Sequence, residues 1–523
     1  MASDALPRTR RRWLIGAGIL TVTAGVAGAL TLVPAAQAND TAVNPVQTSI
    51  AWGACPALAP GATRDPRETC GTVTVPLDYR NPQGGTITVE VSRIATAKPG
   101  RKRGDLLLNP GGPGLEGLDM PTTIAPTLPA SVLEDYDLIG FDPRGVGHSS
   151  PMSCGLTDPS EADAFPYPAA NGSIQANVAN ARDIAQHCAT IGAELKYFTT
   201  ANTARDLDRI RQALGVPRIS YWGQSYGTYL GAVYTALFPQ HTDRMVLEGN
   251  VDPNTVWAPQ IQLWNRGMNA RFPDAAKAAA ADDADLGLGR TSAQVTANFL
   301  ALAARLDRTP AAVPGTPVSI SGAILRAVTY QMLLHNETLA PLTQFWKAAA
   351  DLAAGRTPTA TDTSVLQQVF ADAPTAPGVP ADNQIAMSMA LVCGDVAWSR
   401  NVAGYAKATA ASRAAYPLSD GMPANIWPCA FWSQAPIELP VRVTSNGPRD
   451  VLILQNRRDN ATPWESGLGM RKALGARAGF VGVDNGGHYV YGTGSTCADQ
   501  ATVAFLANGT LPSQDLYCAG PKS

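Results

Sequence analysis

The chain has 523 residues, of which 45% are hydrophobic and 16% charged, a composition that excludes an intrinsically disordered protein. Its formal net charge of −2 argues against a nucleic-acid binder, which needs a basic face or stripe. Neither a Gly-X-Y period nor a heptad run nor a longer repeat is present, which excludes collagen, coiled coil and solenoid.

The N-terminus reads as a targeting segment. Arg8, Arg10, Arg11 and Arg12 form a positive region, an apolar Gly/Ala-rich stretch runs from Trp13 to Val33, and Ala36-Gln37-Ala38 is a small-x-small cleavage signature. A signal peptide over 1–38 is expected, and a retained membrane anchor is the competing reading. Thr9 to Leu14 also resembles a twin-arginine export motif. No later segment reaches about 18 uninterrupted apolar residues, so no stable membrane association is expected after cleavage. The eight cysteines suit an exported, disulfide-bonded chain. Short loops and separate regions favour the sequential pairing Cys55–Cys70, Cys154–Cys188, Cys393–Cys429 and Cys497–Cys518, one of about 105 connectivities. Zinc is the rival use of cysteine, but C-x-x-C and H-x-x-x-H spacings are missing, so no metal is expected.

After the leader, Thr86–Ile94 alternates with period two, as a half-buried strand should. Asp105–Leu108 and Tyr136–Phe141 read as buried strands that run into Gly/Pro turns. Residues 204–214 have helical spacing, 218–222 a strand, 226–237 a helix, and 244–247 a strand. This alternation predicts a mostly parallel sheet with helices on both faces. Beyond Asp252 the chain turns Ala-rich and helical until about Pro440, and strands return at 450–454 and 479–483. An insertion of that length is no loop and is expected to fold by itself as a helical lid. The expected organisation is a first core part at 39–252, a lid at 253–440, and a closing core part at 441–523.

Gly223-Gln224-Ser225-Tyr226-Gly227 matches G-x-S-x-G between a strand and a helix, the setting of a nucleophile elbow. The plain alternative is an ordinary strand–helix turn. Ser225 needs a base, and in this fold class the order is serine, acid, histidine. Of the five histidines, His187 and His241 read as structural, His148 precedes the serine and His335 lies in the insertion. His488 follows a strand's carboxyl end, where catalytic groups belong. Asp459, just past the strand 450–454, is the candidate acid that would orient the imidazole. Asp484 is the alternative acid, and a turn cap is the plain reading of Asp459. Oxyanion donors are expected from the N–H groups of Tyr226 and of Gly112, in the loop Asn109-Pro110-Gly111-Gly112-Pro113-Gly114. A phosphate loop fails, because no Lys-Ser/Thr follows and prolines remove N–H donors, so no cofactor is expected. Asp142 and Arg144 read as an ion pair that stabilises their turn.

Together with Gly140–Ser149, Asn202–Asp208, Ser225–Tyr234, Pro463 and the Cys393 and Cys429 segments, these motifs resemble secreted actinobacterial tripeptidyl aminopeptidases of the α/β-hydrolase fold. The resemblance spans essentially the whole mature chain. It implies a Ser225/Asp459/His488 triad and release of short peptides from free N-termini. Glu116 stands where the family's loop usually has a small residue, and Gln224 where relatives often carry a less polar one. Such an aminopeptidase must hold the substrate ammonium, and Glu248 and Asp395 are the candidate acids. A carboxylesterase or a hydrolase that trims a secreted natural product would use the same triad, and a binding protein that kept the fold is the non-enzymatic alternative. The expected partner is a peptide or small ester.

Overall fold

The computed structural model describes residues 47–156, 165–371 and 374–521. The expected signal peptide lies outside them. Nine strands form one sheet: β1 Thr69–Pro76, β2 Thr86–Ile94, β3 Gly104–Asn109, β4 Tyr136–Phe141, β5 Ile219–Gln224, β6 Thr242–Glu248, β7 Val451–Arg458, β8 Ala478–Gly486 and β9 Leu516–Ala519. Their order is β1-β2-β4-β3-β5-β6-β7-β8-β9. Only β1–β2 and β2–β4 pair antiparallel; the other ladders are parallel. Strands β1 and β9, which the sequence reading leaves unassigned, are added at the two edges.

Both faces of the sheet are covered, and the strand period of two divides its side chains between them. Leu107, Tyr221, Met245, Leu247, Ile453 and Phe480 enter one core. Their neighbours Leu106, Leu108, Trp222, Val246, Leu452, Leu454 and Val481 enter the other. All are essentially excluded from solvent. Each large side chain so buried stabilises the fold by about 1.5–3 kcal/mol before entropy is counted. The helices flanking the first face include α1 Gln175–Ala189, α2 Thr200–Ala213 and α3 Tyr226–Leu237. Helix α2 starts earlier than its apolar spacing predicts, because the Thr199 side chain caps it by accepting from Asn202 N–H.

Between β6 and β7 lie α4 Trp264–Ala281, α5 Ser292–Arg308, α6 Gly322–Met332, α7 Leu339–Ala353, α8 Ala360–Val369, α9 Asn383–Asp395 and α10 Val402–Ala415. The insertion is not one body. Helices α4–α8 pack around their own apolar cluster, in which the rings of Phe272, Phe299 and Trp346 stand 4.9–5.2 Å apart. Helix α9 joins the main core through Ala386, Met387, Ala390 and Leu391. Of its residues only Gln384 is exposed, so it is buried on nearly all sides. The last helices are α11 Trp464–Leu474 and α12 Thr496–Asn508.

The cysteines are joined as Cys55–Cys70, Cys154–Cys188, Cys393–Cys429 and Cys497–Cys518. Such bonds persist in oxidising compartments. Among the described residues no helix is long and apolar enough to cross a membrane.

Candidate active site

Ser225 sits between the end of β5 and the start of α3 with φ 56° and ψ −124°. A non-glycine residue held at positive φ is strained, and such strain gathers at functional turns. The turn closes only because its flanks lack side chains: a Cβ at Gly223 would collide with the Gly227 carbonyl. The Ser225 N–H is held by the Glu248 carbonyl at 3.0 Å.

His488 lies just past β8 and is buried. Its Nδ1 is 2.9 Å from Asp459 Oδ2. Asp459, fully buried, accepts from the N–H groups of Ala461 and Thr462 through Oδ1. The Thr462 hydroxyl donates to Asp459 Oδ2 at 2.7 Å and stands 3.2 Å from His488 Nδ1. A carboxylate beside Nδ1 fixes the tautomer that leaves Nε2 as the basic nitrogen. The histidine loop is pinned on both flanks, since Asn456 Nδ2 donates to the Gly487 and Tyr489 carbonyls. The His488 ring rests against Gly249, where a Cβ would come 3.1 Å from Nδ1 and Cε1. Asp484, the alternative acid, is exposed and pairs with Arg458 at 2.7 Å. His187 and His241 face Asp183 and Asp208 elsewhere on the molecule.

The glycine loop after β3 presses on the elbow. A Cβ at Gly111, whose φ is 95°, would stand 2.8 Å from Ser225 Cβ. The Gly111 N–H is taken by Asn109 Oδ1 at 3.1 Å. Gly112 is exposed, and among the described residues nothing accepts from its N–H. The Tyr226 N–H belongs to the first turn of α3, where helical partners are lacking. Helix α9 lies over this loop, with the Gln384 backbone against Gly114 and Met387 against Gly145.

The ion pair expected between Asp142 and Arg144 is not formed. Asp142 accepts from the N–H groups of Gly117, Leu118 and His148. Burial pushes its pKa up to about 7 against the pull of those donors. Arg144 turns the other way and forks onto Asp206 at 2.6 and 2.7 Å. The short acid meets N–H groups of its own turn and of the loop after β3, while the long guanidinium reaches Asp206 on α2. Glu116, from the loop after β3, lays its stem against Gly147 of that turn while part of its side chain reaches solvent. Burial, with a smaller contribution from the Asp119 charge, raises its pKa.

From residue 106 to 495 the chain matches the family described as alpha/beta hydrolase fold. It is 34% identical to the tripeptidyl aminopeptidase of Streptomyces lividans, over 86% of this chain and 83% of that one. The chain belongs to the α/β-hydrolase family. Two further relatives come from Mycobacterium tuberculosis. The serine protease Hip1 is 28% identical over 97% of this chain and 98% of its own, and carboxylesterase B is 32% identical over 90% and 89%. With such relatives the protein is a serine hydrolase of the α/β-hydrolase fold.

In this hydrolase both acids assigned to a substrate ammonium are engaged by donors of the protein itself. Glu248 is wholly buried, and its Oε2 accepts from Trp222 Nε1 at 3.0 Å and Gln224 Nε2 at 2.9 Å. Its Oε1 accepts from the N–H groups of Val490 and Tyr491, both at 2.6 Å. Asp395 accepts from the Thr200 N–H and hydroxyl and from Trp257 Nε1. Burial lifts its pKa to about 6, opposed by these donors. The Thr200 hydroxyl also contacts the Tyr226 hydroxyl at 2.9 Å, so Asp395 braces the residue that follows Ser225. With four donors on its two oxygens, Glu248 gains little from an ammonium that must be stripped of water. The sequence reading passed over Thr462, although an Asp-x-x-Thr turn after a strand is a legible local hydrogen-bonding signal.

Proposed function

We propose that this is an exported serine exopeptidase that cleaves peptide bonds near free N-termini and releases tripeptides. The 2.9 Å contact between Asp459 Oδ2 and His488 Nδ1, beside a serine held at positive φ, carries the acyl-transfer chemistry of this reading, and the 34% identity to the tripeptidyl aminopeptidase of Streptomyces lividans supports its peptidase part. Ser225 Oγ attacks the scissile carbonyl carbon while His488 Nε2 takes its proton. The carbonyl oxygen becomes an oxyanion that accepts from the N–H groups of Gly112 and Tyr226. Collapse breaks the C–N bond, and the leaving amine takes the proton from Nε2. Water, deprotonated by the same nitrogen, then attacks the acyl ester and frees Ser225. Asp459 accepts from Nδ1–H throughout and stabilises the imidazolium. The four disulfides and the leader at 1–38 support export.

The second reading is a carboxylesterase with the same triad. It is favoured by the four protein donors on Glu248, which leave that acid no lone pair for an ammonium. Both readings are tested by comparing a tripeptide anilide with a free amine, its N-acetylated form and a short-chain nitrophenyl ester. Preference for the free amine supports the exopeptidase, and turnover of the ester alone supports the esterase. Ser225→Ala should abolish all three activities in a folded protein, and surviving turnover would refute the triad.

A further inference from the structure

Glu248 occupies an unusual place for a carboxylate. It is the last residue of β6, fully buried, and its four partners carry no charge. Two of them, Trp222 and Gln224, belong to the end of β5 that delivers Ser225. The other two are the N–H groups of Val490 and Tyr491, two and three residues past His488. Its own carbonyl accepts the Ser225 N–H, and the next residue, Gly249, underlies the His488 ring. One residue thus holds the elbow from its backbone and side chain and the base loop from its side chain.

A buried carboxylate is costly and persists only when its lone pairs are filled. Here the filling is divided evenly, one oxygen for each loop. From this division we propose that Glu248 is a positioning residue that sets the separation between Ser225 and His488. The inference rests on the triad reading above. An amide at this position keeps one oxygen and turns an NH2 toward two other donors, so one loop loses its anchor. A carboxylate one methylene shorter cannot span both. Efficient proton transfer needs the serine and imidazole within hydrogen-bond reach, and an ångström of drift costs about 100-fold in rate.

The test uses the full mature protein and its variants Glu248→Gln, Glu248→Asp and Ser225→Ala. Three properties are measured: kcat and KM on a nitrophenyl ester, the rate of Ser225 labelling by an alkyl fluorophosphonate, and the melting curve by circular dichroism. The fluorophosphonate reads nucleophilicity whatever the natural substrate is. Glu248→Gln and Glu248→Asp should stay folded and lose about 100-fold in kcat and in labelling rate, with KM within about threefold of wild type. Folded variants that keep both rates within about threefold would overturn the proposal, and so would a rise in KM at unchanged kcat. If the Glu248 variants do not fold, the double variant Trp222→Phe/Gln224→Leu removes both side-chain donors of the elbow arm and leaves the base-loop arm in place. It should lower kcat about tenfold at constant KM, and an unchanged kcat would again overturn the proposal. Turnover and labelling that survive in Ser225→Ala would remove the triad reading itself. An inactive Ser225→Ala beside a fully active Glu248→Gln would remove only the role of Glu248.

Discussion

His488 donates its backbone N–H to the carbonyl of Leu334, 2.7 Å away. Leu334 lies just past α6, in the insertion, so the loop bearing the candidate base leans on the helices that cover the sheet. The carbonyls around Leu334 are held in turn by Arg271 of α4. Its Nε donates to Leu333 O at 3.0 Å and its Nη2 to His335 O at 3.2 Å. Arg271 also pairs with Asp274, and Asp274 pairs with Arg458, the residue before Asp459.

Removing this guanidinium should loosen the contact between insertion and base loop. Asp274 keeps Arg458, so no charge is left unpaired, and the loss is that of several hydrogen bonds. Arg271→Met should destabilise the protein by about 1–3 kcal/mol in urea unfolding. Hydrogen exchange should quicken at residues 487–491, and an unchanged exchange pattern there would contradict the coupling.

Thr462 should matter for rate, because its hydroxyl holds the Asp459 carboxyl beside His488 Nδ1. Its hydroxyl donates to Asp459 Oδ2 at 2.7 Å, and a hydrogen bond to a carboxylate is worth about 1.5–3 kcal/mol. Thr462→Val keeps the shape and deletes the donor, leaving Asp459 Oδ2 freer to rotate from Nδ1. A fall of about 10- to 100-fold in kcat is expected, with Thr462→Ser close to wild type. Equal activity of the Val and Ser variants would show that the hydroxyl does not orient the acid.

Asp362 gives a pH signature for the insertion. Burial raises its pKa, but the Thr359 N–H and hydroxyl, Lys347 and Gln344 outweigh that and hold it at about 2. A carboxyl whose folded pKa lies below its unfolded value stabilises above the unfolded pKa. That contribution is lost as pH falls through the folded one. Asp362→Asn should therefore cost about 2 kcal/mol near neutrality, and the gap to wild type should close as pH drops from about 4 to about 2. Denaturant unfolding across that range checks it, and a gap independent of pH would argue against an ionised Asp362 at the start of α8.

Much of the fold was legible because its signals are local. The strand at 86–94 has the bounds expected from its period of two, and the strand at 136–141 and the helix at 226–237 those expected from their apolar run and from the turn that precedes the helix. The elbow was legible because glycine, serine and glycine occupy one five-residue turn. The edge strand β9 was not, since four residues show too little alternation to stand out. Helix α9 was assigned to the lid by its place in the chain, yet it packs into the main core, and helical composition does not encode the neighbour a helix chooses.

By itself the sequence determined which residues could do chemistry: Ser225 at its turn, Asp459 and His488 past their strands, and glycines beside them. Those features depend on neighbours a few positions away, where backbone sterics act directly. Tertiary structure alone decided what each acid is for. Glu248 meets Val490 across 242 residues of chain, and Arg144 finds Asp206 rather than Asp142. A carboxylate takes whatever donors the strand order brings within about 3 Å, and strand order is settled by burying both faces of the sheet at once.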